Sequence, residues 1–167
     1  MQVTLSQEEF DHERGYRFTL EIKDAHGGAK VRRIRNWLPP APDIIRDCQH
    51  CQKSSHRLHR MRSNLRLEKL DDNEVENPIS YPDEVIQQAQ EEYARLIKQR
   101  NQDVNYWLNS ESFRDVRQTI LDYSTEQEEI VVLIRTNSDL QRLPWAAWDL
   151  TQRRPELEFV LLPLENE

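Results

Sequence analysis

The sequence has no apolar run longer than a handful of residues, so no segment of it is long enough to cross a bilayer as a helix. Residues 1–15 lack the basic and then apolar layout of a secretory signal, which predicts a cytoplasmic location. An excess of basic residues is also missing: the net charge of -7 argues against general attraction to nucleic acid or to an anionic membrane. Neither cysteine nor histidine occurs after position 59.

The length and composition that are left after these exclusions predict a polar, folded chain with one compact domain or two small ones. Its 167 residues are enough to bury a core. With 37% hydrophobic and 32% charged residues, it is more polar than an average domain, as long solvated helices require.

The N-terminal part predicts an antiparallel hairpin. Between positions 16 and 22, aromatic and aliphatic residues alternate with polar ones, which is the period of a strand with one buried face. Gly27 and Gly28 provide a turn, because glycine adopts positive φ at little steric cost, and residues 31–38 return as the partner strand. Residues 3–5 are a candidate third strand.

The middle of the chain predicts two long helices and a short one. The proline-rich segment 37–42 closes the hairpin and Asp43 opens the first helix. A second helix runs from about Pro82 to Leu108, and a shorter amphipathic one follows. The apolar stripe of the first helix consists of Ile44, Cys48, Cys51, Ser55, Leu58, Met61 and Leu65.

Two apolar runs near the C-terminal end, 130–134 and 159–162, predict parallel strands joined by a crossover. Neither run alternates with polar residues, which is typical of strands covered on both faces. Two such strands do not make a sheet, so we expect strands from a downstream domain or another copy to complete it. This predicts two regions, 1–125 with the hairpin and helices, and 126–167 with an incomplete sheet. The expected association surface consists of Val132, Ile134, Phe159, Val160 and Leu161.

The cluster CQHCQKSSHRLH contains four potential zinc ligands, but its spacing argues against a metal site. On one helix, Cys48 and His59 are separated by about 16 Å along the axis, too far for one ion. A redox pair and a cysteine–histidine dyad are further alternatives, but Cys48 and Cys51 lie inside a helix and His50 points away from both. We therefore expect two packed thiols and no metal or other cofactor.

A basic run offers another alternative. Arg32, Arg33 and Arg35, with the arginines of the first helix, are candidate contacts for a phosphate backbone. Charge runs on helices are more often solvated faces, and acidic segments lie close by in sequence. Nucleic-acid binding is therefore the less favoured prediction.

Three segments together resemble the N-terminal region of bacterial CHAT-domain proteins, which are relatives of caspases. They are LQRLPWAAWDLTQRRPELEFVLLP at 140–163, WLPPAPDI at 37–44 and YWLNSESFRDVRQTIL at 106–121. The arrangement of a strand, Leu-Pro-Trp and a second strand is the most specific part. Its motif residues are Leu143, Pro144, Trp145 and Trp148, and we interpret Trp145 as structural.

The resemblance implies a mixed α and β fold that begins a caspase-like parallel sheet. In that family the catalytic histidine and cysteine lie well beyond this region, so the resemblance implies no peptidase activity for this chain. It implies a non-catalytic recognition or regulatory region that acts through protein–protein contacts. The alternative is a free-standing adaptor that associates with itself through the exposed strand.

Overall fold

The computed structural model of the chain describes residues 2–23, 30–68, 81–124 and 129–164. Its secondary structure confirms the predicted mixture of an N-terminal antiparallel hairpin, a long helical pair and two C-terminal strands. The strands are β1 (Gln2–Asp11), β2 (Gly15–Lys23), β3 (Lys30–Leu38), β4 (Ile130–Thr136) and β5 (Leu157–Pro163). The helices are α1 (Pro42–Glu68), α2 (Asp83–Leu108), α3 (Arg114–Tyr123) and two single turns, α4 (Ser138–Gln141) and α5 (Leu150–Arg153).

All five strands belong to one mixed sheet, in the order β3-β2-β1-β4-β5. Strand β2 is antiparallel to β1 and β3, while β4 is parallel to β1 and β5. The predicted glycine turn between β2 and β3 lies outside the described residues. The expectation that β4 and β5 need outside strands is wrong at the β4 edge, because β1 pairs there, with Val3 beside Val132. The short candidate strand 3–5 is thus a central strand of the sheet.

Within the part of the chain that the structure describes, only one face of β4 is fully packed, so the expectation of cover on both faces is also wrong. Ile130, Val132 and Ile134 are fully buried, whereas Val131 and Leu133 between them are partly exposed. Because side chains alternate along a strand, the two sets lie on opposite faces. We call the face with Ile130, Val132 and Ile134 the covered face of the sheet, and the face with Val131 and Leu133 the open face.

Aromatic rings fill much of the covered face. Phe113, just before α3, lies 5.8 Å from Phe18 of β2 and 5.9 Å from Trp148, between ring centroids. Trp148 also stacks at 6.3 Å on Phe159 of β5. Val116 and Ile120 of α3 are fully buried as well. The short helix therefore covers the sheet with the apolar side that its sequence pattern indicates.

The tight turn between β1 and β2 depends on Asp11 and Gly15. Asp11 Oδ1 accepts hydrogen bonds from the backbone N–H of Glu13 (2.9 Å) and of Arg14 (2.8 Å). Gly15 has a φ of 95°, and a Cβ there would lie 2.1 Å from the carbonyl oxygen of Leu38. Glycine is required at this position both by its backbone angle and by the close approach of β3.

The chain divides into two compact units, residues 46–100 and the remainder, 1–45 with 101–167. The first consists of the facing parts of α1 and α2, and its buried cluster of Leu58, Met61 and Ile86 packs against Tyr81, Ala89 and Tyr93. The second contains the sheet. Neither boundary coincides with the one expected at 125/126. No helix among the described residues is both long and apolar enough to cross a membrane.

Candidate interaction site

The crossover between β4 and β5 is held by its motif residues. Asn137 begins it by accepting a hydrogen bond from the N–H of Leu140 at 3.1 Å, which caps α4. Leu143 is buried, and the buried indole of Trp145 donates from Nε1 to the carbonyl of Leu140 at 2.9 Å. The Leu-Pro-Trp segment thus fastens the crossover to its own first helical turn.

Trp148 and Asp149 tie the crossover to the helices. Trp148 is fully buried, and its Nε1 donates to Asn109 Oδ1 at 3.1 Å. Asp149 accepts two hydrogen bonds from Arg117 of α3, at 3.0 and 2.7 Å. This contact lowers the pKa of the Asp149 carboxyl and raises that of the Arg117 guanidinium. These contacts hold the crossover against α3 and against the residue that follows α2.

The two thiols of α1 are both free and both buried. Burial raises the pKa of Cys48 to about 11 and also raises that of Cys51, despite the opposing effect of Arg100. A thiol that stays protonated at neutral pH is a poor nucleophile and a poor metal ligand. Within the described ranges, no three His, Cys, Asp or Glu side chains are grouped to hold a metal ion.

The carboxyl ends of parallel strands are a common place for ligands, and here they carry a polar cluster. Gln7 of β1 accepts from Thr136 Oγ1 at 2.6 Å and from the Asn137 N–H at 3.2 Å. Gln141 donates to the Thr136 carbonyl at 3.0 Å. The cluster links β1 to β4, and its hydrogen bonds are made within the chain rather than offered to a ligand.

The half of the open face made by β1, β2 and β3 is ionic. Glu8 accepts a hydrogen bond from Thr19 Oγ1 at 2.5 Å and lies 3.4 and 3.6 Å from the guanidinium groups of Arg35 and Arg33. Its contact with Arg17 Nε, 3.1 Å, is an ion pair without hydrogen-bond geometry. The Thr19 hydrogen bond, and then these arginines, lower the pKa of Glu8. Two of the arginines considered as phosphate contacts are thus engaged with a carboxylate.

The other half of the open face, made by β4 and β5, is mostly aliphatic, with Arg135 and the exposed Glu158 among its side chains. In the parallel register, Leu133 lies beside Val160, and Val131 precedes Leu133 on the same face. Leu162 continues this patch on β5 beside Arg135. All four aliphatic side chains are only partly buried. We call Val131, Leu133, Val160 and Leu162 the aliphatic patch.

Strand β5 is an edge strand: among the described residues, β4 is its only partner. The Ile130 N–H points at the Glu156 carbonyl (3.5 Å) and Ile130 is in register with Leu157. In a parallel ladder, the backbone groups of successive residues face the neighbouring strand and the opposite side in turn. With this register, the N–H groups of Val160 and Leu162 face β4. The N–H and C=O groups of Phe159 and Leu161 therefore face away from β4, toward the edge.

The expected association surface is divided by the structure. Val132 and Ile134 are fully buried on the covered face, so they belong to the core and are unavailable to a partner. Phe159 and Val160 are partly exposed and Leu161 is 41% exposed, so these three remain candidates. Sequence reasoning missed Val131 and Leu133. Their only signal was that the apolar run has two faces, and nothing in it tells which face is covered.

Comparison with known proteins adds no relative to this picture: no protein-family model matches the chain, and no curated protein matches its sequence.

Proposed function

We propose that this chain is a non-catalytic recognition or regulatory region of a CHAT-type, caspase-like protein, and that it acts through protein–protein contacts at the β5 edge. The single observation that carries the proposal is the orientation of Phe159 and Leu161. Their backbone groups face an edge that no described strand occupies. An edge of this kind is a template for a further strand.

The aliphatic patch supports the same site. It borders the edge directly, since Val160 and Leu162 are on β5 itself. A partner that adds a strand beside β5 and also lies on the patch buries apolar area, which contributes about 25 cal/mol per Å². Backbone pairing and side-chain burial are therefore available to the same partner.

The sheet order also suits a caspase-like arrangement. Strands β1, β4 and β5 are parallel and lie side by side, in the order in which they occur along the chain. A further parallel strand beyond β5 would extend the sheet in the same direction. The catalytic histidine and cysteine that the family resemblance implies belong to such later strands, which is why the proposed role is recognition and not cleavage.

The chemistry of the cysteines supports a role without catalysis by this chain. Burial holds the pKa of Cys48 at about 11, so little thiolate is present at neutral pH. We expect the purified chain not to cleave peptides. Cleavage that is abolished by Cys48→Ala or Cys51→Ala would contradict the proposal.

A self-associating adaptor is the second candidate, favoured by the same exposed edge. It differs in what occupies the edge: a second copy rather than the strand of another domain. Two copies of β5 pair through the same groups of Phe159 and Leu161, so oligomeric state separates the two candidates.

The test combines sedimentation with amide hydrogen exchange by NMR. In a monomer with an open edge, the amides of Phe159 and Leu161 exchange fast while those of Val160 and Leu162 are protected. Leu161→Pro removes only an outward N–H and leaves the sheet intact. Leu162→Pro is the matched control, because it removes an N–H that pairs with β4 and destabilises β5.

Three outcomes are distinguishable. A monomer with fast exchange at Phe159 and Leu161 supports a region that accepts the strand of another domain. A dimer with slow exchange at both residues, returned to monomer by Leu161→Pro, supports the adaptor. A monomer in which both amides are already protected means that the edge is closed, and both candidates are then wrong.

A further inference from the structure

A groove runs along β3, at the edge of the sheet opposite to β5. Among the described residues, β2 is the only partner of β3. Ile34 and Asn36 form one side of the groove on the covered face, because they pair with the buried Leu20 and Phe18 of β2. Helix α3 forms the other side, and the volume between them is about 390 Å³. The groove is thus separate from the β5 edge and from the aliphatic patch.

Helix α3 lies antiparallel to β3 along the groove. The ring centroid of Phe113, just before α3, lies 5.8 Å from that of Phe18, which pairs with Asn36. At the other end, the guanidinium of Arg32 lies 5.9 Å from the ring centroid of Tyr123, the last residue of α3. At about 3.3 Å per residue, the β3 side of the groove is about 13 Å long. The groove is therefore elongated and has room for about four residues of extended chain.

The backbone groups of β3 face β2 and the outer edge in turn. The Ile130 N–H points toward β5, and the alternation of backbone groups continues from there through the registers of β4, β1 and β2. It directs the groups of Ile34 toward β2 and those of Arg33 and Arg35 away from it. Arg35 lines the groove although its guanidinium contacts Glu8 on the open face, so the groove extends to this edge. An extended segment can therefore pair with β3 and place every second side chain in the groove.

Among the charged side chains that line the groove, Asp115 differs from the others. Arg32, Arg35 and Asp122 each contact another side chain of the protein. Asp115 is exposed, and within the described ranges its carboxylate makes no ion pair or hydrogen bond. The uncompensated charge of the lining is therefore negative and favours a cation.

Two neutral acceptors accompany Asp115. Thr119 is one turn further along α3, on the same side of the helix, and Asn36 lies across the groove on β3. Neither of their side chains makes a hydrogen bond within the described chain. An ammonium group has three N–H donors, which match the carboxylate, amide and hydroxyl oxygens of these three residues. Lysine is therefore the side chain that this part of the groove favours.

The charge of β3 argues against a second copy of this chain as the occupant. Arg32, Arg33 and Arg35 all lie on this strand, which contains no acidic residue. Pairing β3 with the β3 of another copy would bring these arginines close together, and like charges on neighbouring strands are destabilising.

We propose that this groove binds an extended segment of a partner protein as an added strand beside β3, with a lysine of that segment reaching Asp115, Asn36 and Thr119. The residues on either side of the lysine direct their side chains to the open face. There they lie near Arg33 and Arg35, so uncharged β-branched residues are favoured over basic ones.

The test titrates the isotope-labelled full chain with the peptide acetyl-Thr-Val-Lys-Val-Thr-amide and follows the backbone amides by NMR. We expect saturable shifts at Arg33 and Arg35, and slower hydrogen exchange of both amides in the complex. The amides of Phe159 and Leu161 should not respond, which separates this groove from the β5 edge.

Modified peptides test the pairing and the charge separately. One peptide is N-methylated at the lysine and another at both valines. Because alternate residues of a strand face its partner, one of the two should bind like the unmodified peptide and the other should lose binding. A third peptide carries norleucine in place of lysine, which keeps the aliphatic stem and removes the charge, and it should bind about threefold more weakly.

Variants of the protein then localise the lysine. Asp115→Asn should weaken binding of the lysine peptide about threefold and leave binding of the norleucine peptide unchanged. Glu158→Gln, which changes an exposed acid on β5, is the charge control and should retain the affinity of the unmodified chain for both peptides.

The proposal is overturned if Arg33 and Arg35 show no saturable shift, if the two methylated peptides bind equally well, or if Asp115→Asn and Glu158→Gln have the same effect. A dimer of the chain formed through the Arg33 and Arg35 amides would make a second copy the occupant and would also overturn it. Binding at Phe159 and Leu161 alone overturns it too, but leaves the proposed function standing.

Discussion

The two faces of the sheet differ in what their side chains do. On the covered face, buried aromatic and aliphatic side chains pack against α3 and the crossover, and Trp148 touches both Phe113 and Phe159. On the open face, an ionic cluster around Glu8 stands beside the aliphatic patch. The covered face supplies the stability of the fold, whereas the open face leaves apolar surface accessible. Adjacent residues of one strand therefore have different roles, and substitutions can separate them.

The largest contrast is expected between Ile134→Lys and Leu133→Lys. Ile134 is fully buried, so a lysine there places an unpaired charge in the core and should cost several kcal/mol, enough to unfold a domain of ordinary stability. Leu133 is partly exposed on the open face, and its lysine variant should cost about 1 kcal/mol or less. Urea unfolding of both variants measures the difference. Equal costs would mean that the open face is covered in solution.

Trp148→Ala tests the covered face through its central aromatic ring. Removing this fully buried side chain leaves a cavity between Phe113 and Phe159 and should cost about 3–5 kcal/mol. Leu162→Ala, in the aliphatic patch, is the matched substitution on the open face and should cost about 1 kcal/mol. Thermal unfolding followed by circular dichroism compares the two variants. A small effect of Trp148→Ala would contradict its assignment to the core.

The Arg117–Asp149 contact should give the covered side a dependence on pH. The pKa of Asp149 is lowered in the folded state, so its stabilisation is complete above the unfolded pKa near 3.9 and is lost as pH falls below it. Asp149→Asn should cost about 1–2 kcal/mol at pH 7. The difference in unfolding free energy between Asp149→Asn and the unmodified chain should become smaller as pH falls from about 4 toward the lowered pKa of Asp149 in the folded state. Urea midpoints at pH 7 and pH 3 measure it; a constant difference would count against the ion pair.

The smallest effect is expected from Glu8→Gln on the open face. Glu8 is held by Thr19 and three arginines, but two of them, Arg33 and Arg35, are well exposed and Arg17 is partly exposed, so the net contribution of the ion pairs should be about 0.5 kcal/mol. It should decrease further in 1 M salt. Thermal unfolding at low and high salt checks this. A cost of several kcal/mol would mean that the cluster is buried under another element.

Local patterns in the sequence were sufficient for the three longer helices and for most strands. The structure confirms the helix α1 that was predicted from the stripe with Cys48 and Met61, and the strand β2 that was predicted from the alternation between Tyr16 and Ile22. Both predictions were possible because each pattern depends only on residues that are close in sequence. The face assignment of β4 could not be obtained in this way. Its residues are apolar on both sides, so only the tertiary structure decides which side is packed.

Long-range pairing was also outside the reach of pattern reasoning. Nothing local in residues 2–6 indicates that they pair with 131–135 in a parallel register. The turn at Gly15 was missed although its Asp11 carries a recognisable signal, an aspartate followed closely by a glycine. Of the candidate site residues, Phe159, Val160 and Leu161 were named from their apolar run, and their role in association stays a prediction. Val131 and Leu133 required the register.

The central position of β1 has a consequence for how the chain folds. Gln7 and Thr136, which are hydrogen-bonded at the end of the β1–β4 pair, are 129 residues apart in sequence. Closing so long a loop costs entropy before the contacts that repay it are made, and such topologies fold slowly. During synthesis, β1 can pair with β2 early, but its other edge stays vacant until β4 has left the ribosome. For that interval β1 is exposed to incorrect pairing with other chains, and this exposure ends only when β4 pairs with it.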